Sequence, residues 1–80
     1  MIRYRLRERI ADYEFESGRK LTYTEIARET GVTRVTLSKL ATKRGYTTTT
    51  HVLDRLCKFF NCDVGDLAEY VPDDRVEDLK

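Results

Sequence analysis

Five side chains that could contact a nucleic acid recur at helical spacing: Arg34, Val35, Ser38, Lys39 and Thr42. At about 100° per residue, Leu37 and Leu40 define the buried side of such a helix, so the five side chains point away from the core. Arginine and lysine donate hydrogen bonds to guanine O6 and N7, and valine can contact a thymine methyl group. We therefore predict that the first four read base edges in a DNA major groove. An ordinary exposed valine beside solvated cations is the alternative.

Side chains around this helix carry hydroxyl groups or positive charges, which bind DNA through its phosphates rather than its sequence. The candidates are Tyr23, Thr33, Thr36, Thr42, Lys43, Arg44 and Thr49. Helix amino ends also attract phosphate, and Tyr23, Thr33 and Thr49 lie at predicted helix starts. Thr49 belongs to a threonine run, residues 47–50, for which helix capping and loop solubility are the competing explanation.

Two helix-start signatures would position these side chains. In residues 22–25 (TYTE) the first threonine can accept from the glutamate amide while the carboxylate reaches back, a capping box that predicts a helix from Tyr23. Gly31 can adopt the left-handed conformation that ends this helix, and Thr33 caps a second helix at once. A turn of about three residues between two helices predicts a helix-turn-helix over residues 22–41.

Apolar spacing predicts three more helices, at residues 5–16, 50–60 and 64–68, and two short strands, at residues 2–4 and 69–71, that pair with each other. The expected fold class is all-α: five helices with a central helix-turn-helix and a short terminal strand pair. We place one DNA-binding domain at residues 1–72. Residues 73–80 are expected to form a charged, frayed tail.

The formal net charge is +1, but the charges are distributed unevenly along the sequence. Residues 1–62 hold thirteen Lys and Arg against seven Asp and Glu, a net +6, whereas residues 63–80 hold two against seven, a net −5. A positive body is typical of proteins that bind polyanions, although any small soluble protein needs charged surface. Arginines at positions 3, 5, 7 and 9 could contact phosphate, but a solvated helix face is the simpler explanation.

Several classes of protein are excluded or disfavoured. Eighty residues are too few for a multi-domain enzyme, and no acid–base pair accompanies the single His51, so we predict no enzymatic activity. Cys57 and Cys62 lack zinc-site spacing, and we expect Cys57 in the core and neither metal nor cofactor. The absence of a long apolar run and of a leader predicts a cytoplasmic protein without membrane contact.

The sequence is similar to the phage repressor and Cro family of helix-turn-helix regulators, also called the XRE type, over about residues 6–71. The similarity rests on Glu25-Ile26-Ala27, Gly31-Val32, Leu37 to Leu40, Leu53 to Phe60 and Val64-Gly65-Asp66-Leu67. It implies a fold of five helices. Thr30 stands where an apolar residue is common in the family, and we expect this departure to weaken helix packing slightly.

The resemblance also implies that the helix after Thr33 enters the major groove, with Arg34, Val35 and Lys39 at base-reading positions and Tyr23 at a phosphate. Family members commonly bind half-sites as dimers whose reading helices are about 34 Å apart. The leading hypothesis is a dimeric repressor of transcription that binds double-stranded DNA and, without a sensor domain, takes no small-molecule effector. The alternative is a protein-interaction module of the same fold, such as an antitoxin, adaptor or anti-repressor.

The sequence does not decide which surface would form a dimer. Pairing would add affinity, because one five-helix unit reads only a few base pairs. The helix around residues 64–70 and the strand at residues 2–4 are the two candidate surfaces.

Overall fold

The computed structural model describes residues 1–72, which fold into five helices and two strands. In chain order these are β1 (Ile2–Tyr4), α1 (Leu6–Ser17), α2 (Tyr23–Thr30), α3 (Arg34–Thr42), α4 (Thr50–Phe60), α5 (Val64–Leu67) and β2 (Ala68–Tyr70). The predicted fold class, five helices with a short terminal strand pair, is confirmed. The predicted tail, residues 73–80, lies outside the described residues.

Each of the five helices contributes one fully buried side chain to a common core: Leu6, Ile26, Leu37, Leu56 and Leu67. Leu21, Val32 and Leu40 complete this cluster from the connections and from α3. Burial of one such aliphatic side chain contributes roughly 1.5–3 kcal/mol. The core therefore fixes α2 and α3 against the other helices and leaves their opposite faces exposed.

Threonine hydroxyls cap three helices, at Thr22, Thr33 and Thr49. Each accepts a hydrogen bond from the backbone amide three residues later, at 3.2 Å in all three cases. The predicted starts of α2, α3 and α4 are therefore confirmed. The capping box at α2 was wrong in its second half, because the Glu25 carboxylate accepts from Arg19 at 2.9 Å instead of reaching back to the cap. A surface cation brought close by the α1–α2 connection thus competes for the carboxylate.

The turn between α2 and α3 is short and internally bonded. Gly31 takes a left-handed conformation with φ of 78°, and its amide donates to the Ala27 carbonyl oxygen, as a helix-ending glycine does. Thr30, only 6% exposed, donates its hydroxyl to the Ile26 carbonyl oxygen at 2.7 Å and accepts from the Val32 amide at 3.1 Å. The threonine that departs from the family pattern therefore has both hydrogen-bonding roles of its hydroxyl satisfied.

The two strands form an antiparallel pair in which Ile2 lies opposite Tyr70 and Tyr4 opposite Ala68. Both α5 and β2 depart by one residue from the prediction, since α5 ends at Leu67 and β2 begins at Ala68. Ala68 is already extended, with φ of −137° and ψ of 141°, because it pairs with Tyr4. The strand pairing therefore decides where the short helix stops.

Three of the four N-terminal arginines form ion pairs within the domain. Arg3 and Arg5 both contact Glu69 on β2, at 3.1 and 2.5 Å, and Arg9 contacts Asp12 at 2.8 Å. Arg7 is exposed. Arg3 and Arg7 fit the expected solvated face, whereas Arg5 and Arg9 are only partly exposed. Arg9 and Asp12 are three residues apart on α1, a helical spacing visible in the sequence, but the contacts with Glu69 depend on the β1–β2 pairing.

Candidate nucleic-acid interface

The exposed face of α3 carries the four predicted base-reading side chains. Leu37 and Leu40, which are 0% and 4% exposed, anchor the helix in the core. Arg34, Val35, Ser38 and Lys39 are all exposed, as their helical spacing predicts. Val35 exposes 63% of its surface, so this apolar side chain is available to an external partner.

A shallow open groove joins this face to the start of α2. Its lining consists of Tyr23, Thr24, Arg34, Val35, Ser38 and Lys39. The helix-turn-helix thus brings all four predicted base readers and the predicted phosphate residue Tyr23 to one concave surface. Among residues 1–72, that surface, called the reading groove below, is lined by two cations and no carboxylate.

Lys39 is held near the loop that follows α3. Its ammonium nitrogen lies 5.9 Å from the centre of the Tyr46 ring, a cation–π arrangement. The side chain is exposed and lines the reading groove. The Tyr46 ring is thus a neighbour of the Lys39 ammonium at the groove.

The threonine hydroxyls near α3 differ in the hydrogen bonds they already make. Thr33 accepts from the Thr36 amide and donates to the Thr36 hydroxyl oxygen at 3.0 Å, which leaves the Thr36 proton for another acceptor. Thr42 donates to the Ser38 carbonyl oxygen at 2.7 Å. Of the three, the Thr36 hydroxyl is the donor that a phosphate could use without breaking a bond of the protein.

The remaining predicted phosphate residues lie at two other places. Thr42, Lys43 and Arg44 line a cleft of about 250 Å³ between the end of α3 and the N-terminal residues of β1 and α1. Thr49 caps α4 and is exposed, and it lines neither this cleft nor the reading groove. The seven predicted phosphate residues therefore do not form one continuous patch.

A family model for Cro/C1-type HTH DNA-binding domains matches residues 5–73. The chain belongs to this family. The resemblance to the phage repressor and Cro regulators is therefore confirmed, and the chain carries the fold of a DNA-binding regulator. Neither a curated protein nor a solved structure matches the chain.

The carboxylates of α2 in this Cro/C1-type domain do not line the reading groove. Glu25, at the start of α2, accepts from Arg19, and Glu29 pairs with Arg28 at 3.7 Å. The Glu25 hydrogen bond is the main cause that raises the pKa of Arg19. Both acidic side chains of α2 are thus paired with cations. They repel an approaching phosphate less than unpaired carboxylates would.

Cysteines and other possible ligands of this Cro/C1-type domain lie outside the interface. Cys57 is half-buried and packs against the core, as predicted. Burial raises the pKa of the Cys62 thiol, which disfavours a reactive thiolate there. Within residues 1–72, His, Cys, Asp and Glu form no group of three that could hold a metal ion. No helix in that part of the chain is long and apolar enough to cross a membrane.

Two residues at these surfaces, Thr24 and Tyr46, were not among the candidates from the sequence, and a third, Arg7, was assigned there to a solvated face. Thr24 lines the reading groove, Tyr46 faces Lys39, and Arg7 lines the cleft beside Lys43. Thr24 follows Tyr23 in the first turn of α2, so its position next to a predicted phosphate residue was a usable signal. Tyr46 and Arg7 come from other parts of the chain, and only the packing of α1 and the loop against α3 brings them near.

Proposed function

We propose that this Cro/C1-type domain is a sequence-specific, double-stranded DNA-binding regulator that acts as a dimeric repressor in the cytoplasm. The reading groove supports the proposal most, because it combines exposed donors and an apolar contact on a rigid helix with a second helix start beside it. A helix of this width fits the major groove of B-form DNA.

In this proposal the side chains of α3 divide into two roles. Arg34 and Lys39 donate to guanine, Ser38 bonds to a base edge, and Val35 contacts a thymine methyl group. Tyr23, Thr33, Thr36, Thr42, Lys43, Arg44 and Thr49 bind phosphates and set the position of the duplex. The amide protons at the start of α2 and α3 add to phosphate attraction.

Dimerisation through the terminal sheet would place two reading helices on one duplex. Ile2 and Tyr70 lie opposite each other in the strand pair and are 44% and 69% exposed. Tyr70, at the end of the first candidate surface, and Ile2, in the second, are thus paired in the sheet, and we take this exposed apolar patch as the proposed dimer contact. We expect half-sites about 34 Å apart, one turn of DNA, and no small-molecule effector.

A selection from a random pool of double-stranded oligonucleotides tests the proposal. We expect one enriched sequence with two related half-sites, bound more tightly than random duplex. Affinity should fall with salt at a logarithmic slope of about −0.9 for each phosphate contact. A pool without enrichment, together with binding that does not change with salt, would contradict a DNA-binding role.

A protein-interaction module remains the second candidate, favoured by one observation. Phe15 on α1 is 91% exposed, and a large aromatic side chain in water is typical of a surface that another protein covers. Recovery of one stoichiometric protein partner, with no shift of any duplex at low salt, would favour this function over DNA binding. Loss of that partner in a Phe15→Ser variant would place it on α1.

A further inference from the structure

The cleft beside the end of α3 has a strongly positive lining. Arg3, Arg7, Lys43 and Arg44 line it, and Glu8 is the one carboxylate that the described residues contribute. Four cations against one acid leave an excess of three positive charges around about 250 Å³. A concave surface lined by one sign of charge concentrates its field and attracts the opposite charge. We call this surface the basic cleft.

Two of its cations have no partner in the described part of the chain. Arg3 forms an ion pair with Glu69, whereas Arg7 and Lys43 make no side-chain hydrogen bond or ion pair with residues 1–72. Both side chains are exposed. They can therefore bind an external anion without first breaking a contact within those residues.

The basic cleft continues the exposed face of α3. Thr42 lines the cleft and donates to the carbonyl oxygen of Ser38, which lies one helical turn earlier in the reading groove. A duplex that followed the exposed face of α3 beyond Ser38 would pass Thr42 and reach the cleft. In the proposed complex, the DNA strand that borders the bases read by α3 would therefore be the anion closest to the cleft.

We propose that the basic cleft binds a phosphate of this flanking strand, with Arg7 and Lys43 as its donors. The proposal rests on the proposed DNA-binding function and adds α1 to the interface. Arginine suits such a contact because its planar guanidinium can donate two parallel hydrogen bonds to one phosphate. The cleft walls are held in place by the β1–β2 pairing and by the buried Leu6 and Leu40.

The test compares Arg7→Gln with a matched loss of one charge elsewhere, Lys58→Gln. Lys58 is exposed on α4 and lines a different opening, with Asp54, Asp63 and Asp66. Binding of the full chain to its selected duplex and to random duplex is measured between 50 and 200 mM salt. Arg7→Gln should weaken both complexes alike and reduce the salt slope by about 0.9 for each protomer, about 1.8 for the dimer, so that this fourfold rise in salt costs about twelvefold less affinity. Lys58→Gln should retain the wild-type slope.

Ethylation of individual phosphates locates the contact. We expect one phosphate in each half-site, outside the bases selected from the pool, whose ethylation hinders the wild type and Lys58→Gln more than Arg7→Gln, which keeps the Lys43 contact. Arg7→Lys should retain the salt slope because it keeps the charge. Circular dichroism and thermal unfolding check that the variants fold, and Lys43→Gln provides the same measurement should Arg7→Gln fail to fold.

Two results would overturn the inference, and they are distinguishable. If the wild type binds in a salt-dependent way but Arg7→Gln and Lys58→Gln have identical slopes and ethylation patterns, the cleft does not bind phosphate. The DNA-binding function would then still stand. Absence of salt-dependent binding by the wild type would reject the DNA-binding function and the cleft together.

Discussion

The hydroxyl oxygen of Thr30 accepts a hydrogen bond from the amide of Val32 at 3.1 Å. The same hydroxyl donates to the carbonyl oxygen of Ile26, so a single side chain connects the last turn of α2 to the turn that leads into α3. Thr30 and Val32 are 6% and 5% exposed. In such surroundings an amide that lost its acceptor would be cut off from water.

We predict that Thr30→Val destabilises the domain by about 1–3 kcal/mol, since the Val32 amide would remain buried without its acceptor. Urea unfolding measures this change. Thr30→Ser, which keeps the hydroxyl and removes one methyl group, should cost only about 0.8 kcal/mol. Greater stability in Thr30→Val than in the wild type would show that the family's apolar preference outweighs the hydrogen bond.

Gly31→Ala should cost about 1–2 kcal/mol, because an L-residue is disfavoured in the left-handed conformation at φ of 78°. Space is not the reason, since a Cβ at Gly31 would meet nothing within 4 Å. The matched control is Gly65→Ala in α5, which is also free of close neighbours and lacks a positive φ. There we expect a gain of about 0.4–1 kcal/mol. Equal unfolding midpoints for the two variants would contradict the conformational argument.

Acid should weaken the terminal sheet through Glu69. The hydrogen bond from Arg5 lowers the pKa of this carboxyl below its ordinary value, with further contributions from the charges of Arg5 and Arg3. Because the unfolded chain takes up the proton first, the stabilisation is fully present above about pH 4.3. It is lost as the pH falls through the lowered folded pKa.

Thermal unfolding of the wild type and Glu69→Gln between pH 6 and pH 3 measures this effect. We expect the wild type to be more stable near neutrality and the difference to shrink towards pH 3. The comparison removes the contribution of the other carboxylates, which titrate in both proteins. A difference that stayed constant over this range would mean that the Arg5–Glu69 contact does not stabilise the fold.

The two proposed classes of DNA contact should respond differently to truncation. Arg34→Ala is expected to cost about 1–3 kcal/mol on the selected sequence and to relax the preference at one base pair. Lys43→Ala should weaken binding to selected and random duplexes alike. Titrations with both duplexes separate the effects, and equal losses on the two duplexes for both variants would reject this division of roles.

Tyr70→Asp should shift the protein from dimer to monomer, because it would bury a charge in the apolar patch that Ile2 and Tyr70 form. Sedimentation velocity reads the oligomeric state. Phe15→Asp is the matched control, with a charge placed at an exposed aromatic position on α1. A dimer that survives the first change and is lost with the second would move the interface from the sheet to α1.

Local sequence signals predicted the helix starts well. Thr22, Thr33 and Thr49 cap their helices by bonds that span only three residues, and Gly31 ends α2 by its own conformational freedom. Contacts between distant residues were not predictable in this way. For example, the pairing of Ala68 with Tyr4 ends α5 at Leu67, one residue earlier than predicted.

Tertiary packing also decides what the sequence did not predict about the interface. Helical spacing was sufficient to place Arg34, Val35 and Lys39 on the exposed side of α3, because the buried Leu37 and Leu40 lie on the same helix. The cation–π contact of Lys39 with Tyr46 depends on a loop. Local spacing carries no information about such contacts, and the roles of these side chains towards DNA stay predictions.

The bonded turn between α2 and α3 has a thermodynamic consequence. Gly31 and the Thr33 cap complete their hydrogen bonds within the domain itself, so the reading helix does not need to fold when it meets a partner. Association would then avoid most of the entropy cost of ordering a segment. Calorimetry should therefore give a heat capacity change of binding that matches the apolar area buried between protein and DNA. Coupled folding of the reading helix should not contribute to it.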